Sequence, residues 1–191
     1  MNPVTHVLLS WLVANTAPLT RRERVVVTVA GAIPDFDGLG FIAEQLTAGQ
    51  EGALTWYSDY HHVLGHNLSF GLLVVGMSWL VCRRRWTPAA LSVVSFHLHL
   101  LGDLISGRGP DGYQWPVPYL FPFSDIWQWT WSGQWALNAW PNFVVTGVAL
   151  LATLYLAVQR GYSPLEIISA AADRRFVATL RSRFAPRRAV P

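Results

Sequence analysis

Residues 88–106 read PAALSVVSFHLHLLGDLIS, an apolar run that also carries two histidines and one aspartate. As an α-helix with a rise of about 1.5 Å per residue, this run extends about 28 Å, close to the ~30 Å hydrocarbon thickness of a bilayer. Ionisable side chains at that depth are costly, and where they occur they usually mark a functional site. The run therefore predicts a membrane helix that contributes to a site.

The composition of the whole chain agrees with this prediction. Of the 191 residues, 52% are hydrophobic and 13% are charged, whereas a soluble domain carries about 25% charged residues. The mean hydropathy is +0.29. A single cysteine, Cys82, excludes an internal disulfide and a zinc site built from several thiolates. Five apolar stretches are predicted to cross the membrane, namely residues 4–19, 25–46, 63–82, 88–106 and 141–158.

The arginines predict how these helices are oriented. All 14 basic residues are arginine, and with five membrane helices every one except Arg108 falls on the same side. Short loops rich in arginine stay in the cytoplasm. The sequence therefore predicts an all-α, multi-pass plasma (inner) membrane protein of about five transmembrane helices, with its N-terminus outside and its C-terminus cytoplasmic. Residues 1–160 form the predicted transmembrane domain.

Residues 161–191 are predicted to form a cytoplasmic, basic, amphipathic helix and tail. The sequence SPLE at 163–166 matches a capping box with proline at the first helical position. Arginines surround an apolar face of the helix that follows. The residues of this apolar face are Leu165, Ile168, Ala172, Phe176, Leu180 and Phe184. This pattern indicates a helix on the membrane surface that binds anionic lipid. Nucleic-acid binding is disfavoured, because the apolar face would have no use there.

The predicted outer loop contains six tryptophans between Trp115 and Trp140. Tryptophans at this position are typical of an aromatic belt at the depth of the lipid headgroups. A lid over a lipid-facing pocket is the alternative, and one segment could serve both purposes.

Histidine and aspartate side chains are predicted to share one layer near the outer surface. Counted from the cytoplasmic arginines, they lie about 20–27 Å along four different helices, with Asp35 slightly deeper at about 16 Å. The members of the layer are His6, Asp37, His66, His99 and Asp103. Imidazoles and carboxylates are the ligands of Zn²⁺ or Mn²⁺ when no thiolate is available. His99 and Asp103 are spaced i,i+4, so one ion can bind both.

Two histidine assignments stay open at this stage. On a regular helix His62 shares a face with His66, whereas His61 does so only if the helix begins after it. His97 points away from His99, either as a structural histidine or as a support for the ligands.

The two carboxylates near residue 36 also allow two interpretations. Pro34 and Gly38 predict a helix interruption at which Asp35 and Asp37 both point inward. Alternatively, these carboxylates cap a helix or pair with Arg108.

With these residues placed, the chain resembles the LexA-regulated inner-membrane family of metal-dependent hydrolases (YdjM-like). The family pattern is a first-helix histidine, Pro-Asp-x-Asp, His-Arg-Gly-x-Thr-His-Ser and His-x-x-x-Asp. His6, Pro34-Asp35-Phe36-Asp37, His61 with His66, and His99 to Asp103 match it in order, within residues 6–122. The chain departs at His62, Gly65 and Asn67. The ligand order is also similar to that of zinc-dependent phospholipase C and related nucleases.

The resemblance implies a membrane-bound metal-dependent hydrolase with its site near the outer face and a lipid-like or phosphoester substrate. One or two divalent ions are expected, zinc first, with manganese or magnesium as alternatives. The implied ligands are His6, Asp35, Asp37, His61, His66, His99 and Asp103. Asp37, if not fully engaged, or His62 would act as the general base.

Two other functions remain open. The departures from the pattern favour a catalytically inactive relative that serves as a structural or partner-binding membrane protein. A metal-ion transporter is the third hypothesis. It is less favoured, because the inner halves of the predicted helices are almost wholly apolar and transport needs polar groups that lead to both faces.

Overall fold

A computed structural model describes residues 1–109 and 112–184, and within them the chain is all helical, as predicted, with no β-strand. Its eight α-helices are α1 (Pro3–Ala14), α2 (Arg21–Ala30), α3 (Gly40–Thr47), α4 (Trp56–Tyr60), α5 (Leu68–Val81), α6 (Trp86–Ser106), α7 (Trp140–Arg160) and α8 (Ala170–Phe184). Two 3₁₀ helices, Ile33–Leu39 and Pro164–Ile167, lie before α3 and before α8.

The helices differ in their ability to cross a membrane. By length and apolar composition α6 and α7, of 21 residues each, could cross, and α2 with the segment Ile33–Thr47 could form a third, broken crossing bent by 52°. Helices α1 and α5 have 12 and 14 residues, which extend only about 18 and 21 Å. The structure therefore has two or three candidate membrane spans, and the five crossings and their orientation stay predictions.

Asparagine caps explain why α1 and α5 are shorter than the apolar stretches. The Asn15 side chain donates to the carbonyl of Trp11 at 2.8 Å, and α1 ends there. At the start of α5 the Asn67 side chain accepts from the backbone N–H of Phe70 at 2.9 Å. Asparagine competes well for such cap positions. As a result, residues 61–67 form a loop of turns rather than the first turns of a membrane helix.

Helix α6 lies against α1, α2 and α5. The packing is tightest at Gly31, where a Cβ atom would lie 2.0 Å from the Ser10 hydroxyl oxygen and 2.8 Å from the Ser95 carbonyl oxygen. Only glycine leaves room for the three chain segments to meet there. This close approach brings the C-terminal end of α2 next to the second half of α6.

The segment after α7 differs from the predicted capping box. Ser163 accepts from the backbone N–H of Leu165 at 3.3 Å, but it caps only the four-residue 3₁₀ helix. The Glu166 carboxylate is buried and binds Arg24, with Nε and Nη2 donating at 2.8 and 2.6 Å. The buried ion pair therefore ties this segment to α2, and Asp173 of α8, rather than Glu166, accepts from the Ser163 backbone N–H at 2.7 Å.

Helix α8 presents a mixed surface. Val177 is buried, whereas Phe184 is 68% exposed. The Arg181 guanidinium donates to the Val158 and Gln159 carbonyls at the end of α7. The predicted apolar face is largely exposed, with Ile168 84% exposed as well, and the amphipathic, lipid-binding role of this segment stays a prediction. Residues 185–191 of the predicted tail lie outside the described residues.

Candidate metal centre

Four segments bring histidines and aspartates together at one end of the bundle. Helix α1 contributes His6, the first 3₁₀ helix contributes two aspartates, the loop 61–67 contributes three histidines, and α6 contributes His99 and Asp103. Pro34 lies in the first turn of the 3₁₀ helix, which replaces a regular continuation of α2. The predicted interruption at this point is therefore present, and its carboxylates contact histidines.

Asp103 lies at the middle of this group. Its Oδ1 is 3.1 Å from His6 Nε2 and also contacts the amino group of Met1. Its Oδ2 is 3.0 Å from His99 Nε2 and 3.4 Å from His66 Nε2. The carboxylate is buried, and one aspartate therefore touches histidines from three separate segments.

The two central imidazoles face each other. His66 Nε2 and His99 Nε2 are 3.0 Å apart, and His99 Nδ1 lies 2.8 Å from the Gly31 carbonyl oxygen. Because that carbonyl can only accept, Nδ1 carries the proton and Nε2 is left with a lone pair. Asp35 completes the surroundings, with Oδ1 at 3.7 Å from His99 Nε2.

The donor atoms form two groups whose members lie within 4.8 Å of one another. One group is His6, Asp35, His99 and Asp103, and the other is His62, His66 and Asp103. Ligands at about 2.0–2.1 Å from a tetrahedral ion stand about 3.3 Å apart, close to the separations around Asp103. The residues present therefore fit one divalent ion, or two that share Asp103.

Unpartnered polar atoms support this fit. Asp35 Oδ2, Asp103 Oδ2 and His62 Nδ1 are buried and lack a hydrogen-bond partner among the described residues. A buried acceptor without a partner costs about 1–3 kcal/mol, so several at one place need an explanation. A bound cation would supply one.

Asp37 lies beside the two groups but belongs to neither. Its side chain is fully buried. Oδ1 accepts from Nδ1 of His61 at 2.8 Å, while Oδ2 accepts from the Gly65 backbone N–H at 2.9 Å and from Nδ1 of His66 at 3.1 Å. Both oxygens are thus engaged, and the bond to His66 turns its Nε2 toward Asp103. Carboxylates hold metal-binding histidines in this way.

The two adjacent histidines occupy different places. His62 has a positive φ of 66°, a conformation that non-glycine residues adopt rarely and that directs its ring toward His66 and Asp103. Burial, together with the neighbouring His66, lowers the pKa of His62 well below its usual value, which keeps the ring neutral. His61 instead binds Asp37 and remains partly exposed.

Gly65 shows why the loop departs from the threonine of the family pattern. A Cβ at this position would lie 2.2 Å from the Pro34 carbonyl oxygen. The loop and the 3₁₀ helix therefore approach so closely that a larger side chain would push them apart, and with them Asp37 and His66.

His97 does not join the centre. Its Nδ1 lies 2.9 Å from the Val93 carbonyl oxygen, and its Nε2 lies 2.9 Å from the Tyr119 hydroxyl. It is thus the structural histidine of the two alternatives.

Two cavities give access to the centre. The smaller, of about 410 Å³, is lined by Asp35 and Asp103 among others, and the larger has a volume of about 640 Å³. Trp115 lines both and packs against His61 and His62, with ring centroids 4.7 and 4.6 Å apart. It therefore covers the histidines as a lid residue would. The aromatic belt stays a prediction for the more exposed tryptophans, such as Trp127 and Trp140.

Sequence reasoning missed Tyr57, which stacks on His61 with ring centroids 4.6 Å apart and lines both cavities. It also missed the Gly31 carbonyl that orients His99. Neither has a sequence signal, since Tyr57 lies in the short helix α4 outside any motif and a backbone carbonyl carries no residue preference.

Comparison with known proteins agrees with the resemblance. A family model described as YdjM inner membrane protein matches residues 1–178. No curated protein and no solved structure matches the chain. The similarity to zinc-dependent phospholipase C is accordingly not confirmed.

Proposed function

The chain belongs to the YdjM inner membrane protein family, and on that basis we propose that it is a membrane-bound, metal-dependent hydrolase acting on a lipid-like or phosphoester substrate. The observation that carries the proposal is the pair of donor groups sharing Asp103, with its buried, unpartnered oxygen and nitrogen atoms. In this proposal His6, Asp35, His62, His66, His99 and Asp103 hold one or two ions. A divalent ion held there supplies the Lewis acidity that activates water and polarises the bond to be hydrolysed.

Proton transfer is assigned to His61 rather than to Asp37. Both oxygens of Asp37 are already engaged, so the condition for its use as a general base is not met. The His61 ring donates from Nδ1 to Asp37, lines both cavities and makes no other hydrogen bond among the described residues. A histidine oriented by a buried carboxylate is the usual arrangement for a general acid or base. His62 is the alternative, with its unpartnered Nδ1.

The arrangement of helix ends supports a site on the non-cytoplasmic side. Helix α6 begins after Arg85 and reaches Asp103 about 27 Å further on. Helix α2 likewise begins at Arg21 and ends at the centre. The arginine-rich ends therefore lie opposite the site, and the positive-inside rule assigns those ends to the cytoplasm.

Metal content of the detergent-purified protein tests the first part of this proposal. Wild type is expected to hold one or two equivalents of zinc or manganese by mass spectrometry, and Asp103→Ala and His66→Ala are expected to lose them. His97→Ala is the matched control, because it removes a histidine of α6 that lies outside the centre. A folded wild-type protein without stoichiometric metal, even after reconstitution, would exclude the hydrolase.

Hydrolysis is tested with bis(p-nitrophenyl) phosphate and with a panel of phospholipids. Metal-loaded wild type is expected to cleave at least one of them, and His61→Ala is expected to retain the metal but lose turnover. A metal-loaded wild type inert on every substrate would instead support the inactive, partner-binding relative.

A further inference from the structure

The larger cavity and the smaller cavity, which reaches the candidate metal centre, share one wall. The residues that line both cavities are Tyr57, His61, His62, Gly109 and Trp115. On the far side of this wall the smaller cavity reaches Asp35 and Asp103. The larger cavity therefore borders the candidate metal centre.

The charges around the larger cavity disfavour an anionic group. Apart from its two histidines, the only charged side chain among its described lining residues is Asp125. No arginine lines either cavity in the described part of the chain, and the sequence contains no lysine. An anion would thus meet a carboxylate without a guanidinium to offset it, whereas a cation would be attracted.

Four aromatic residues contribute to the lining. Tyr57, Tyr113, Trp115 and Phe121 contribute rings, and the ring centroids of Tyr57 and Trp115 lie 5.5 Å apart. Faces of tryptophan and tyrosine attract a cation within about 6 Å, and this interaction is the usual way in which proteins recognise quaternary ammonium groups. Ser58 and Gln128 are the only aliphatic-hydroxyl or amide side chains among the described lining residues, and a sugar ring would need more such partners for its hydroxyls.

We propose that the larger cavity binds a substituted ammonium group of choline type, with Asp125 and the rings of Tyr113 and Trp115 as its partners. This inference rests on the proposed function, because it makes the substrate a phosphoester whose ammonium group enters this cavity while its phosphate lies at the metal centre. It narrows the substrate class from phosphoesters in general to zwitterionic ones.

Binding of choline by calorimetry tests this inference without any catalytic step. The matched probe is 3,3-dimethylbutan-1-ol, which has the same shape as choline but carbon in place of the charged nitrogen. Full-length, metal-loaded protein in detergent is expected to bind choline about tenfold more tightly than the neutral probe. Asp125→Asn and Tyr113→Leu are each expected to weaken choline binding several-fold and to leave the neutral probe unaffected.

Two further variants serve as controls. Tyr113→Phe keeps the ring and should retain choline binding, and Asp59→Asn removes a carboxylate that is outside the cavity lining. Equal affinity for the two probes, tighter binding of methyl glucoside than of choline, or choline binding unchanged in both Asp125→Asn and Tyr113→Leu would overturn the inference. Metal content of the same samples separates the two proposals, since metal-loaded protein without a choline preference refutes only this one.

Discussion

Replacing Asp37 by asparagine is expected to weaken metal binding without abolishing it. Asp37 accepts three hydrogen bonds, from His61, His66 and the Gly65 backbone. The amide oxygen of asparagine can accept two of them at most, and only as neutral bonds. Exchanging one charge-assisted bond for a neutral one costs about 1–1.5 kcal/mol, or roughly tenfold in affinity, and losing the bond to His66 raises the effect to about 100-fold.

The assay is competition for Zn²⁺ between the detergent-solubilised protein and a fluorescent chelator. Wild type, Asp37→Asn and Asp103→Ala are compared, with Asp59→Asn as a control for an exposed carboxylate and circular dichroism as a check on folding. Unchanged affinity in Asp37→Asn would refute the reasoning that the carboxylate positions His66. A loss as complete as that of Asp103→Ala would also refute it, because Asp37 would then be a ligand itself.

Three further predictions concern packing, the buried ion pair and proton transfer. A methyl group at Gly31 would lie 2.0 Å from a side-chain oxygen, so Gly31→Ala is expected to destabilise the protein by about 1–3 kcal/mol in thermal unfolding. Gly76→Ala is the control, because the added methyl group meets open space there and should leave the stability unchanged. Glu166→Ala leaves the Arg24 charge buried without its partner, for an expected loss of about 3–5 kcal/mol; an unchanged melting temperature would contradict it. His61→Gln should retain stoichiometric metal while hydrolysis of bis(p-nitrophenyl) phosphate falls about 100-fold or more, and metal loss in this variant would argue for a ligand instead.

Periodicity and spacing predicted the parts of the centre that depend on one helix or on distance along a helix. The i,i+4 spacing of His99 and Asp103 predicted a shared face, and in the structure their side chains are 3.0 Å apart. Counting residues from the arginines also predicted that His6 lies at the same depth as His99. In the structure the two rings stack with their centroids 3.7 Å apart. Such inferences succeed because the rise per residue of a helix is fixed.

The parts built from irregular backbone could not be predicted in this way. The positive φ of His62 and the turns at 61–67 decide which histidine faces Asp103, and neither follows a helical period. The position of Asp37 depends on contacts 24 to 29 residues away in the chain. Hydropathy likewise overestimated the lengths of α1 and α5. It does not register the asparagine at the end of α1 or the asparagine before the start of α5.

The ion pair between Arg24 and Glu166 has a consequence for the order in which the protein is assembled during synthesis. The two residues are 142 positions apart, so at a translation rate of about 5–20 residues per second Arg24 leaves the ribosome some 7–30 s before its partner. Until then its guanidinium lacks the carboxylate with which it pairs in the folded protein, and burying it alone would be strongly unfavourable. We therefore expect the start of α2 to remain in contact with water until the segment after α7 has been synthesised. Because Gly31, whose carbonyl orients His99, directly follows α2, this contact at the opposite end of the bundle is expected to help fix the geometry of the metal centre.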